Sequence, residues 1–224
     1  MTILALEFSS RQRSVAVVRR HADDPAFTAS EVVETGTGGT QAFGMIEAAL
    51  REAGLEREQI ETIVVGLGPG SYTGIRVALA VAQGWQLASG PGRMKLLGIS
   101  SVECVVAQAR AEKIIGRVSV VIDAQRNEFY LASYDISASD RNPMEPLKIL
   151  TRSEVERQAA AGEMLVGPEV TRWFPHGRMI FPRAASLGEL ALSQSPFFKG
   201  NRLEPIYLRE TNFVKARPRR QTAP

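Results

Sequence analysis

Two stretches of this sequence repeat one pattern: an apolar run ending in an acid, a polar turn, and a β-rich return. Ile3-Leu4-Ala5-Leu6 ends in Glu7 and, after Ser9-Ser10-Arg11-Gln12-Arg13, returns at Ser14 to Val18. The second hairpin runs from Val118 to Tyr134, with Ile122-Asp123 in the place of Leu6-Glu7 and Phe129-Tyr130-Leu131 as its return. A chain that writes the same hairpin twice is expected to be internally duplicated. Its 224 residues suffice for one large or two small domains with buried cores.

Between the hairpins, Phe43, Ile46, Ala49, Leu50 and Ala53 recur at helical spacing up to Gly54, a C-terminal stop. Thr62 to Leu67 is apolar at successive positions, as in a strand buried on both faces. The loop Gly68 to Gly74 follows, then a helix from about Ile75 to Ala88. Its small-residue face carries Val77, Ala80, Val81, Gly84 and Leu87, and Gly90-Pro91-Gly92 ends it. A strand at Lys95 to Ile99 and a helix at Val102 to Ala111 complete this part. Prolines then spread through the second half, where the spacing predicts helices over 152–161 and 187–193 and a strand over 164–166. The expected lobes are 1–100 and an abbreviated 101–224.

Composition removes several chemistries. One cysteine, Cys104, allows neither an internal disulfide nor a cysteine-built metal site in one chain. The two histidines, His21 and His176, offer no sequence-adjacent pair for zinc. Ser71 lacks the glycine-serine-glycine elbow of hydrolases. The N-terminal run has no basic start and is cut short by Glu7, so no signal peptide or membrane span is expected and a cytoplasmic location is. Part of the net charge of +3 sits in Lys215, Arg217, Arg219 and Arg220, readable as a solvated tail or as contacts to RNA phosphate.

Gly68-Pro69-Gly70-Ser71-Tyr72-Thr73-Gly74-Ile75-Arg76 joins a buried strand to a helix N-terminus, a place that favours anions. It matches neither the nucleotide P-loop nor the dinucleotide fingerprint. It reads either as a phosphate site or as tight chain packing with Thr73 as the helix N-cap. Glu7 and Asp123 read either as a magnesium–phosphate pair between lobes or as two solvated acids at hairpin turns. Phe129, Tyr130 and Tyr134 are at strand spacing and read as packing before base stacking.

Together, Ile3 to Glu7, the glycine loop through Arg76, Ile122 to Tyr130, and Pro205-Ile206-Tyr207-Leu208-Arg209 resemble the TsaB (YeaZ) family in order and spacing over nearly the whole chain. The resemblance implies an α/β, actin/Hsp70-like duplicated ribonuclease-H-like fold with a reduced second lobe. It implies no catalytic residue and no metal ligands in this chain, which would support a TsaD-type enzyme, with a TsaE-type ATPase, in threonylcarbamoylation of tRNA adenosine. Carried onto this sequence, the partner face comprises Phe43, Ile46, Leu50, Thr73, Arg76, Val77, Ala80 and Gly84. The tRNA is met indirectly, and the chain is expected to dimerise when alone. No intrinsic cofactor is implied; ATP or ADP with magnesium at the partner interface would meet Glu7, Gly68, Gly70, Ser71 and Asp123. Two departures stand out: Glu7 replaces the usual aspartate, and Gly38-Gly39-Thr40-Gln41 lacks the usual histidine. The alternative functions are a stand-alone nucleotide-dependent kinase or phosphohydrolase, a glycoprotease, or an RNA-binding module.

Overall fold

The computed structural model describes residues 1–20, 26–36, 39, 41–193 and 203–208. The basic tail, Arg209, His21, Gly38 and Thr40 lie outside the described residues.

Strand β1 (Thr2–Glu7) turns back antiparallel into β2 (Gln12–Arg20), which pairs antiparallel with β3 (Phe27–Thr35). On its other side β1 runs parallel to β4 (Thr62–Gly66), and β4 parallel to β5 (Lys95–Ile99). The order is β3-β2-β1-β4-β5. In the second half, β6 (Gly116–Asp123), β7 (Glu128–Ile136), β8 (Arg141–Thr151), β9 (Met164–Gly167) and β10 (Arg178–Met179) take the order β10-β9-β6-β7-β8. Read from its far end, the second sheet repeats the first strand for strand. This is the duplicated architecture that the resemblance to the TsaB (YeaZ) family implies, and it places Glu7 and Asp123 at the ends of equivalent strands.

The central strands are apolar on both faces because both are covered. Leu4, Leu6, Ile63 and Val65 pack against α1 (Ala42–Ala53) and α2 (Tyr72–Ser89) through Ile46, Leu50, Ile75 and Leu79. On the opposite face, Ile3, Ala5 and Val64 meet Cys104 of α3 (Ser101–Ala111) and Leu187 of α5 (Ala184–Leu192). Val102, Val105 and Val106 of α3 also pack with Val118, Val120 and Ile122 of β6, so this helix is shared between the two sheets. Its Glu103 is buried, accepts a hydrogen bond from Tyr134 Oη at 2.7 Å and lies 3.5 Å from Arg141 Nε. Burial and the Glu103 charge both push the Tyr134 phenol up from its ordinary value.

The second lobe is reduced in its helices rather than its strands. α4 (Arg152–Ala160) links β8 to β9, but the connection from β9 to β10 is a 3-10 turn at Val170–Arg172 where the first lobe has α2. Helix α5, in the second-lobe part of the sequence, returns to pack on the first sheet. Three strands that the periodicity does not predict, β3, β8 and β10, are edge strands of their sheets. β8 carries Pro143 and Pro146 and pairs with β7 through register shifts, the setting in which a strand tolerates proline. No helix among the described residues is long and apolar enough to cross a membrane.

Candidate functional site

The glycine loop is shaped by the neighbouring hairpin turn. Ser71 N–H donates to Ser9 O at 2.6 Å, and a Cβ at Gly70 would sit 2.1 Å from that same oxygen. Gly70 also has φ 147°, in the region that favours glycine. Helix α2 begins at Tyr72, earlier than the periodicity predicts, and its N-cap is Ser71, not Thr73. The Ser71 hydroxyl accepts from Gly74 N–H at 3.2 Å. These amides are thus engaged within the protein.

Glu7 is neither solvated nor turned toward the cleft between lobes. It is fully buried, with Oε1 accepting from Ser9 N–H and Oε2 from Ser101 Oγ, each at 2.8 Å. The Ser101 hydroxyl in turn accepts from Gly68 N–H at 3.2 Å. The carboxylate occupies the space that glycine leaves at position 66, where a Cβ would be 1.9 Å from Oε2. The extra methylene of glutamate over aspartate reaches this slot, tying the first hairpin to the glycine loop and to the start of α3.

Burial pushes the Glu7 carboxyl above its ordinary value, and the hydrogen bonds from Ser9 and Ser101 pull it partly back. The native state therefore holds this proton more tightly than the unfolded chain does. The stability so gained is complete below the unfolded value and is lost as pH rises through the folded value, at no more than about 1.4 kcal/mol per pH unit. Urea unfolding is expected to lose stability more steeply with rising pH in wild type than in Glu7→Gln from about pH 4.3 upward. Parallel slopes would show that Glu7 titrates alike in both states.

Asp123, at the equivalent position, stays at the surface. It accepts from Gln125 N–H at 2.7 Å and Gln125 Nε2 at 3.0 Å. With Gly70, Ser71, Ser10, Tyr130 and Tyr207 it lines an inter-lobe cleft of about 420 Å³, crossed by the ion pair of Arg11 and Glu169 at 3.2 Å. The fold thus brings Gly70, Ser71 and Asp123 to one cleft, but buries Glu7 and Gly68 beneath it. Among the described residues no cluster of three or more His, Cys, Asp or Glu side chains could hold a metal. Phe129 is buried in edge contact with Trp173 and Phe174, and Tyr134 is in the core, so these two aromatics pack rather than form a platform.

The second candidate surface is the outer face of α1 and α2. Of its expected residues, Ile46 and Leu50 are buried under their own sheet and do not reach the surface: they are the core side of α1. Phe43 is 71% exposed, Thr73, Arg76, Ala80 and Gly84 are exposed, and Val77 is half-buried. Leu87, at 85%, and Tyr72, at 55%, extend this surface along α2. Local spacing does not single out Tyr72, whose ring centroid lies 5.7 Å from that of Tyr207.

Comparisons with known proteins converge. Residues 40–206 match the family model described as TsaD, tRNA N6-adenosine threonylcarbamoyltransferase. The chain is 26% identical over 193 residues to the tRNA threonylcarbamoyladenosine biosynthesis protein TsaB of Escherichia coli (strain K12), covering 78% of this chain and 81% of that protein. It is 31% identical over 133 residues to an uncharacterized protein of Mycobacterium tuberculosis (strain ATCC 25618 / H37Rv), a match that spans only 59% of either chain. The solved structure of YeaZ from Pseudomonas aeruginosa superposes with a TM-score of 0.73 at 24% identity, over 92% of this chain and 99% of that one. The chain belongs to the tRNA N6-adenosine threonylcarbamoyltransferase family, on its TsaB (YeaZ) side.

Proposed function

We propose that this chain is a non-catalytic subunit in threonylcarbamoyladenosine synthesis on tRNA, and that it docks on a TsaD-type catalytic subunit through the outer face of α1 and α2. One observation carries this reading: α2 is an eighteen-residue surface helix whose only charged residue is Arg76. Its exposed positions are otherwise Tyr72, Thr73, Ala80, Gln83, Gly84, Leu87 and Ala88, with Phe43 on neighbouring α1. A helix face solvated for its own sake carries charges, as α4 does with Arg152, Glu154, Glu156 and Arg157. Small residues at Ala80 and Gly84 let another helix approach closely, and a large apolar exposure at both ends favours burial.

In this reading the chain acts in the cytoplasm and holds its partner in a working arrangement. A TsaE-type ATPase and the tRNA meet the assembled pair, and without the partner two copies of the chain cover the same face. ATP or ADP with magnesium belongs to the partner's side of the interface, since Glu7 is buried and the amides of Gly68, Ser71 and Gly74 are engaged here. The stand-alone kinase reading loses its carboxylate pair for the same reason.

The test is co-purification with the TsaD-type protein of the same organism, followed by tRNA modification with and without this chain. A stable complex and modification that requires both proteins are expected, with no calorimetric heat from ADP and magnesium on the isolated chain. Separate sedimentation at micromolar concentration would overturn the proposal.

A further inference from the structure

At the cleft end of α2, three side chains form a cluster, in which the rings of Tyr72 and Tyr207 lie 5.7 Å apart and tilted by 32°. The Arg76 guanidinium lies 3.7 Å from the ring centroid of Tyr72 and 5.9 Å from that of Tyr207, and its Nη1 donates to Tyr72 Oη. Tyr207 reaches this place because the segment before it is pinned: Ile206 N–H donates to Leu67 O at 2.9 Å, and the Ile206 side chain packs on the first-lobe core. Arg76 is exposed, and among the described residues no carboxylate forms an ion pair with it.

This arrangement is costly for an interface unless the partner answers it. Covering α2 with an apolar surface would strand a guanidinium away from water, and a buried charge without a counter-ion is strongly destabilising. Lysine would shed that cost by swinging away on a flexible stem. Arginine held over the Tyr72 ring, with Tyr207 beside it, keeps its fork in place with donors left over for a carboxylate. Fixing the side chain before the encounter also removes part of the entropy lost on association.

We propose that Arg76 receives a carboxylate carried by the partner on an otherwise apolar helix, and that Tyr207, from the C-terminal segment, is the positioning residue that holds the guanidinium ready. The inference rests on the docking reading above and adds to it the charge the partner must present. It also makes the C-terminal segment part of the binding surface, although it lies outside both helices.

The experiment measures Kd for the TsaD-type partner by sedimentation or calorimetry, using the full chain and the variants Arg76→Glu, Arg76→Lys, Arg76→Ala, Tyr207→Ala and the double variant Arg76→Ala/Tyr207→Ala. Expected are weakening on the order of 100-fold for Arg76→Glu and about 10-fold for Arg76→Lys, which keeps the charge but loses the planar fork. Tyr207→Ala should weaken binding in the wild-type background and have no further effect beside Arg76→Ala, which a merely structural role for Tyr207 would not produce. Wild-type affinity should fall with salt more steeply than that of Arg76→Ala. If wild type binds and Arg76→Glu binds equally well, or if the two losses simply add, the inference is wrong while the docking reading stands. If wild type does not bind, the docking reading fails and takes this inference with it. Circular dichroism and thermal melts of each variant separate lost binding from lost folding. A parallel titration with tRNA guards the other identity for the anion: variants that keep partner affinity but lose tRNA affinity would assign Arg76 to a nucleic-acid phosphate and overturn the proposal.

Discussion

Replacing Gly84 with arginine is expected to leave the chain as stable as wild type, or about 1 kcal/mol more stable, and to abolish its complex with the catalytic partner. Gly84 lies inside α2, and a Cβ built there meets nothing within 4 Å, so the folded chain has room for a side chain. Glycine in an exposed helix interior is about 1 kcal/mol worse than a good helix former, so this position spends stability that the isolated fold does not require. A surface approached closely by another backbone does require it. Arginine would put bulk and an unmatched charge into that contact, a loss of at least about 3 kcal/mol, or two decades in Kd. Thermal melting and sedimentation with the partner check the two halves separately. An unchanged complex would move the docking surface elsewhere; a lowered melting temperature would mean that Gly84 is needed by the fold itself.

What the sequence made legible follows from how each element is buried. β1, β4 and β6 are interior strands covered on both faces, so their apolar runs, broken in β6 only by Ser119, announce them, and α1 has an apolar helical spacing ending at Gly54, although Phe43 within it points outward. The edge strands are different. β3 reads Phe-Thr-Ala-Ser-Glu-Val-Val-Glu-Thr, with five of its nine positions exposed and the other four only half-buried, while β8 contains two prolines. Their strand character comes from pairing with β2 and β7, a tertiary cause that local periodicity does not carry. The site shows the same division. The duplication located Glu7 and Asp123 correctly at equivalent strand ends, yet their environments diverge: one carboxylate is sealed under the hairpin and the other lines a cleft. The partners that decide this, Gly66 and Ser101, are distant from Glu7 in sequence and carry no local signal. Helical spacing likewise marked Ile46 and Leu50 as apolar but could not say which apolar positions face the chain's own sheet.

Gly74→Ala should be strongly damaging for a single added methyl, costing about 3 kcal/mol or more of a stability that for a domain of ordinary size is about 5–15 kcal/mol. The added Cβ would lie 1.9 Å from the carbonyl oxygen of Phe8 and 3.0 Å from its carbonyl carbon, backbone atoms that cannot rotate away. Nor can the turn retreat as a body. Phe8 sits between Glu7, whose carboxylate is fixed by Ser9 N–H and Ser101 Oγ, and Ser9, whose carbonyl accepts from Ser71 N–H at 2.6 Å. Moving the turn would break those bonds and leave a buried carboxylate short of donors, while moving α2 would release the Ser71 cap and the packing of Ile75 on the first sheet. Gly84→Ala, the same substitution further along the same helix, is expected to stabilise by about 1 kcal/mol instead. Urea denaturation of the two variants beside wild type tests the pair: opposite signs mean that the glycine loop is built for chain-to-chain contact, whereas a loss below about 1 kcal/mol for Gly74→Ala would mean that the turn has room to move and that the loop's glycines answer to something other than packing.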